Sequence, residues 1–328
     1  MITRRSALLA GGVGLLVAHE LSRGQPAGVI RRVGWLALGS ATTVANLLVA
    51  LKQGMLDLGW QEGKMIEYRS VYCDGDVDRA DALASELVSQ KVDVIVVGAV
   101  PTTRALQRAT KTMPIVMANV IDPVGNGFVA SLAKPGGNIT GIANLHEEVL
   151  GKLIGVLHEV VPGARRIAVV LNETNPVHPL FWATAKSACA ALDLVALRVV
   201  ASTPAQLGDA VGQILRQRAQ AVVVVADGMY NAERAKLQEL MQAIALPVAY
   251  ALREHVITGG LLSYGANLAA NYRHAATYVD KVLKGAKPGD LPVEQAIQFE
   301  LVINMKAAKA LGLTIPQSVL LRADEVMQ

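Results

Sequence analysis

The chain has 328 residues, of which 52% are hydrophobic and 18% charged. That composition fills sizeable cores and is far from a disordered one, and the length allows about two domains. The net charge is +4, with +2 of it in residues 1–27; no basic run exceeds two residues and aromatics are only 4%, which speaks against a nucleic-acid partner or an aromatic stacking platform.

The chain opens as an export signal. Arg4 and Arg5 precede the charge-free apolar run Ala7–Ala18, and a polar stretch with small residues ends at Gln25-Pro26-Ala27. This is the charged, apolar and cleavable pattern of a secretory leader. Twelve apolar residues fall short of the roughly 20 that span a bilayer. Thr3–Leu8 (TRRSAL) partly matches a twin-arginine signal, so the export route stays open. The expectation is a periplasmic protein with residues 1–27 removed.

From Arg31 onward, β-branched runs alternate with amphipathic stretches. The first series reads as strand 32–38, helix 44–58 stopped at Gly59, strand 65–73, helix 77–90, strand 92–97, helix 102–111, strand 114–120, a short helix 128–134 and strand 138–143. The second reads as helix 147–160, strand 166–171, helix 179–192, strand 194–200, helix 204–217, strand 221–226, helix 231–244, strand 247–252 and strand 260–264. A long helix 269–284, a strand 299–303 and a helix 306–311 close the chain. Val92–Val97 (VDVIVV) and Ala221–Ala226 (AVVVVA) are almost wholly apolar, as strands buried on both faces of a parallel sheet are. The expected fold class is α/β: two doubly wound parallel-sheet lobes, periplasmic-binding-protein-like, joined by a multi-crossover hinge. The expected lobes are 28–143 plus 265–288, and 144–264 plus 289–328. Cys73 and Cys189 then fall in different lobes and read as two free thiols.

Five stretches resemble a known family: Leu51–Lys64 (LKQGMLDLGWQEGK), Val92–Val97, Pro114–Gly141 (PIVMANVIDPVGNGFVASLAKPGGNITG), Gly259–Leu268 (GGLLSYGANL) and Phe299–Val326 (FELVINMKAAKALGLTIPQSVLLRADEV). They are similar to the exported solute-binding proteins of ABC transporters, in the family that includes the tryptophan/tyrosine-type TrpX proteins. The resemblance implies a type I-like periplasmic-binding fold, capture of a small solute between lobes, and delivery to an ABC permease in the inner membrane. The expected protein is a binding protein rather than an enzyme, a monomer, and without a cofactor.

Ligands of open parallel sheets sit beyond the carboxyl ends of the strands, so the residues that follow each strand are the candidates. They are Ser40, Gly98, Thr102 with Thr103, Asp122, Asn172, Asn175, Asp227, Tyr230 and Tyr264. Ser40 and Thr102 are hydroxyls at helix starts, suited to a carboxylate beside free backbone N–H groups; they are equally N-caps. Asp122 and Asp227 suit an ammonium group, or else a turn and a cap. Asn172, Asn175, Tyr230 and Tyr264 supply oriented hydrogen bonds or serve loop and core. An amino acid is the ligand class this set favours.

Catalytic motifs fail. Gly125–Ala130 matches G-x-G-x-x-A but follows a fourth strand, with Pro123 intervening and Glu147 in a helix where a strand-end acid is needed. Leu261–Gly265 (LLSYG) is not a nucleophile elbow, and His146-Glu147-Glu148 lacks a second histidine at metal spacing. The alternatives are an exported ligand sensor and a two-lobed α/β enzyme. A repressor needs an N-terminal helix-turn-helix, for which residues 1–30 are too short and apolar.

Overall fold

A run of four apolar, mostly β-branched residues with no polar break can satisfy its backbone and bury both faces only inside a sheet. Val94–Val97 and Ala221–Val224 are buried at every position, and each is central in its own sheet. The structure is a computed structural model that describes residues 30–144, 146–296 and 298–328; the leader expected over residues 1–27 lies outside the described residues.

The first half contains β1 (Arg31–Ala37), α1 (Ala45–Asp57), β2 (Ile66–Tyr72), α2 (Ala80–Ser89), β3 (Val94–Val97), α3 (Val100–Ala109), β4 (Ile115–Ile121) and β5 (Ile139–Asn144). The second contains α4 (His146–Val160), β6 (Arg166–Leu171), α5 (His178–Ala191), β7 (Val195–Val200), α6 (Leu207–Arg216), β8 (Ala221–Val224), α7 (Gly228–Ala232), α8 (Arg234–Ala243), β9 (Val248–Tyr250), α9 (Arg253–Ile257) and β10 (Leu262–Ala266). The chain ends with α10 (Leu268–Leu283), β11 (Glu294–Gln295), β12 (Phe299–Asn304), α11 (Met305–Ala310), α12 (Gln317–Leu320) and β13 (Glu325–Met327).

The sheets run β11-β5-β4-β3-β1-β2 and β13-β12-β10-β9-β8-β6-β7. Each contains the same doubly wound core, β2-β1-β3-β4-β5 in one and β7-β6-β8-β9-β10 in the other. All pairings are parallel except β10 with β12, where Leu262 faces Ile303. In both sheets the strand order reverses at one place, between β1 and β3 and between β6 and β8. There the helices leave on opposite faces and a crevice opens at the strand ends.

The chain passes between the sheets three times: after β5, after β10, and between β11 and β12. As the sequence suggests, α10 returns to the first lobe, where it packs along α1 and across β4. The return crossing comes later than residue 289, because Glu294 and Gln295 first pair with Ile142 and Ala143. The helix expected over 128–134 is instead a series of bends after the turn at 123–127. Gly127 and Gly136 adopt φ of 67° and 74°, and Pro135 removes a donor, so no helical ladder propagates there. Cys73 and Cys189 are free and buried, one in each lobe, and burial pushes both thiols up to about 11.

Candidate functional site

The two crevices face each other across one cavity of about 370 Å³, within the range of small-molecule sites. From the first lobe it is lined by Leu38 and Gly39 after β1, Gly98–Pro101 after β3, Arg104 and Arg108 of α3, Asn119 and Ile121 of β4, and Tyr272 of α10. From the second it is lined by Asn172 and Thr174–Pro176 after β6, Ala226–Met229 after β8, Asn231, Ala232 and Leu252. The lobes approach closely where Leu38 meets Gly228. A Cβ on Gly228 would lie 2.4 Å from Leu38 Cδ2, so glycine there permits the approach.

Asp227 organises the wall of the second lobe. Its extended backbone (φ −152°, ψ 139°) is that of an N-cap, and Oδ1 accepts the N–H groups of Met229 (2.8 Å) and Tyr230 (3.3 Å). Oδ2 accepts the side-chain amides of Asn175 (2.8 Å) and Asn172 (3.2 Å). His178 Nε2 faces the same oxygen at 3.3 Å, off the line of an ideal hydrogen bond. The ring's Nδ1 accepts the Asn172 backbone N–H at 2.7 Å, which puts the ring proton on Nε2, toward the carboxylate. Burial alone would push this carboxyl up; the contacts from His178, Asn175 and Asn172 outweigh it and hold Asp227 below the ordinary carboxylate range. Asn172 Oδ1 accepts the Thr174 N–H (3.0 Å) and hydroxyl (2.7 Å), and Asn175 Oδ1 accepts the Val177 N–H (3.2 Å). The polar wall is thus closed on itself, and the acceptor oxygens of all three side chains are in use.

Of the nine residues expected at the site, the structure brings Gly98, Asn172, Asn175 and Asp227 to the cavity and leaves five outside its lining. Ser40 folds its hydroxyl into the 40–43 turn, 3.0 Å from Thr42 Oγ1 and 3.2 Å from Thr43 Oγ1. Thr102 is fully buried and donates to the Ala99 carbonyl at 3.0 Å, as Thr103 does at 2.8 Å. Both hydroxyls serve the helix start itself. Asp122 (φ 42°) closes its own turn by accepting the Gly125 N–H at 2.8 Å, and borders a separate cavity of about 270 Å³ with Leu180 and Phe181. Tyr230 is fully buried and donates to the Ala201 carbonyl at 2.8 Å. Tyr264 is half-buried within β10, opposite Leu301.

The loop-by-loop reading missed the helical residues. Val100, Arg104 and Arg108 repeat every fourth position of α3, one stripe along the cleft; that spacing was visible in the sequence. Arg104 donates to the Asn126 carbonyl (2.8 Å), Asn126 Oδ1 (3.1 Å) and Gln107 Oε1 (3.3 Å), and its guanidinium lies 4.6 Å from the Phe128 ring centroid. No carboxylate pairs with it among the described residues. Arg108, at the exposed rim, pairs with Asp81. Asn119 Oδ1 accepts the amides of Asn144 (2.8 Å) and Asn271 (3.0 Å), which fixes the wall next to the crossings.

Gly98 is held to glycine by Tyr272. An added Cβ would lie 2.0 Å from Oη and 2.8 Å from Cζ of that buried ring, which itself packs edge-on against Trp35 at 5.9 Å. Gly98→Ala is expected to lower stability by about 1–3 kcal/mol, the usual cost of overpacking. Tyr272→Phe in the same chain should restore part of it, because it removes the nearer atom. Chemical denaturation of the two single variants and the double variant checks this.

The model of the family described as ABC transporter substrate binding protein matches residues 41–327. The chain belongs to that family. A tyrosine-binding protein of Clostridioides difficile is 25% identical over 257 residues, which are 78% of this chain and 74% of that protein. A conserved domain protein from Vibrio cholerae is 29% identical with a TM-score of 0.84, over 90% of this chain and 99% of that one. An ABC domain from Streptococcus pneumoniae, solved in complex with L-Trp, also has a TM-score of 0.84 at 24% identity, over 91% of this chain and all of that one. At that identity the likeness is one of fold. As a substrate-binding protein of an ABC transporter, the chain binds a small molecule and works with a membrane permease.

Proposed function

We propose that this substrate-binding protein captures an α-amino acid, with aromatic side chains favoured, in the interlobe cleft, and hands it to an inner-membrane permease after export to the periplasm and removal of residues 1–27. The lobes, residues 28–143 with 265–296 and residues 144–264 with 299–328, rotate about the three crossings. Ligand contacts to both lobes stabilise the closed form by their differential affinity for it.

One observation carries this reading: a single cavity built from the switch points of both sheets, with polar groups on two walls and apolar side chains (Leu38, Val44, Leu47, Ile121, Met229, Leu252, Leu268) between them. A zwitterion with an apolar body matches that distribution. Binding without chemistry is supported by the Asp227–His178 pair. The carboxylate is filled with protein donors and the ring nitrogen Nδ1 is occupied by a backbone N–H, so neither is poised to move a substrate proton. No helix among the described residues is long and apolar enough to cross a membrane. The reading takes the mature protein as a monomer that binds no nucleic acid.

A thermal-shift screen of the twenty amino acids and small carboxylates on residues 28–328 tests it. A ligand at 100 times its dissociation constant should add about 2.7 kcal/mol of stability. A flat response across the amino acids would sink the reading.

A further inference from the structure

One buried polar atom in the cleft has no partner within the protein. Asn231 lies in the first turn of α7, is 8% exposed, and its Oδ1 meets no donor. Buried acceptors are nearly always satisfied, and this is the one cavity-lining side chain with such an orphan among the described residues. Its position is fixed from both sides: its N–H donates to the Asp227 carbonyl at 3.0 Å, and its own carbonyl accepts from Arg234 Nη1 at 2.9 Å.

The acid that chemistry would suggest for an ammonium group is Asp227. A carboxylate has about four acceptor positions, and four protein N–H groups and the His178 ring already converge on this one. On the opposite wall, Arg104 retains its Nε–H and one Nη2 hydrogen after its three hydrogen bonds. It is held in place by Asn126 and Phe128, with no carboxylate of the described residues paired to it.

We propose that Asn231 and Arg104, one from each lobe, are the two contacts that orient an amino acid here: Asn231 Oδ1 accepts from the ligand's ammonium group and Arg104 donates to its carboxylate, while Asp227 supports the wall without touching the ligand. This rests on the amino-acid reading above. Because the contacts lie on different lobes, a ligand with both groups spans the cleft, and a ligand with only one leaves a lobe unheld.

The test is calorimetric titration of L-tryptophan, L-tyrosine, their deaminated acids (3-indolepropionate, 3-(4-hydroxyphenyl)propionate) and their decarboxylated amines (tryptamine, tyramine). The proteins are wild type, Asn231→Leu, Asn231→Asp and Arg104→Met, with thermal midpoints to confirm folding. A hydrogen bond to a charged group corresponds to roughly a tenfold or greater change in affinity. Asn231→Leu is expected to lose about that factor for the amino acid and to leave the deaminated acid unchanged, whereas Asn231→Asp keeps or tightens amino-acid binding. Arg104→Met is expected to weaken amino acid and deaminated acid together. Amino-acid binding in the wild type with unchanged affinity in Asn231→Leu or Arg104→Met overturns this assignment and leaves the amino-acid reading standing. No response of the wild type to any amino acid, in these titrations and in the thermal-shift screen, removes both.

Discussion

Asp227→Ala is expected to destabilise the protein by about 3–5 kcal/mol, the cost of removing one partner from a buried charged network. The donors left behind are buried and lose their acceptor. Asn172, Asn175 and His178 are each 7% exposed or less, and the Met229 and Tyr230 N–H groups open α7 without another cap. The carboxyl is held below 3.8 in the fold, so its contribution is complete above that value. It is lost as pH falls through the lower folded-state value, and variant and wild type differ fully at neutral pH. Urea denaturation at pH 7 measures the loss. Double-mutant cycles of Asp227→Ala with Asn172→Ala and Asn175→Ala should give coupling energies of about 0.5–3 kcal/mol, since these side chains share one carboxylate oxygen. Additive losses would show that the network is not a unit.

The lobes were legible in the sequence because their central strands are unbroken apolar runs flanked by helices, and such runs fit only a parallel sheet covered on both faces. What stayed hidden was short or tertiary. Glu294–Gln295 and Glu325–Met327 carry no usable period at two and three residues, and Arg253–Ile257 is a single turn and a half. The loops after the strands pointed to Gly98, Asn172, Asn175 and Asp227 because the switch points are a property of strand order. The roles of the Ser40, Thr102 and Tyr230 hydroxyls stay open in the sequence because their partners decide them. The partner of Tyr230 is a carbonyl 29 residues away, and nothing local announces it. The same holds for Asp227, whose saturation depends on amides 52 and 55 residues distant. Arg104 and Asn231 lie outside the loops after the strands, because in each lobe a helix turn also faces the cleft.

Between pH 8 and pH 4.5, the wild-type protein is expected to lose about 3 kcal/mol more stability than His255→Phe, read from urea denaturation at intervals across that range. His255 is buried at 2% exposure, stacked on Tyr250 with centroids 4.8 Å apart and planes 8° from parallel, and its Nδ1 has no partner. Burial, with the charge of Arg234, pushes the imidazole down from 6.5 to about 3. The folded-state value lies below the unfolded one, so between them the unfolded chain binds the extra proton. The stabilisation is complete above pH 6.5 and declines by about 1.36 kcal/mol per pH unit as pH falls toward 3; two units give the stated difference. The neighbouring Glu254 has the opposite sign. Burial raises its carboxyl, so its protonated form favours the fold as pH falls and flattens the wild-type curve. Glu254 is present in both proteins, as are Arg234, Arg253, Glu300 and Glu325 around it, and its effect cancels in the comparison. Phenylalanine keeps the stack on Tyr250 and removes only the titrating nitrogens. Parallel curves for the two proteins would mean that this ring reaches water in the folded state.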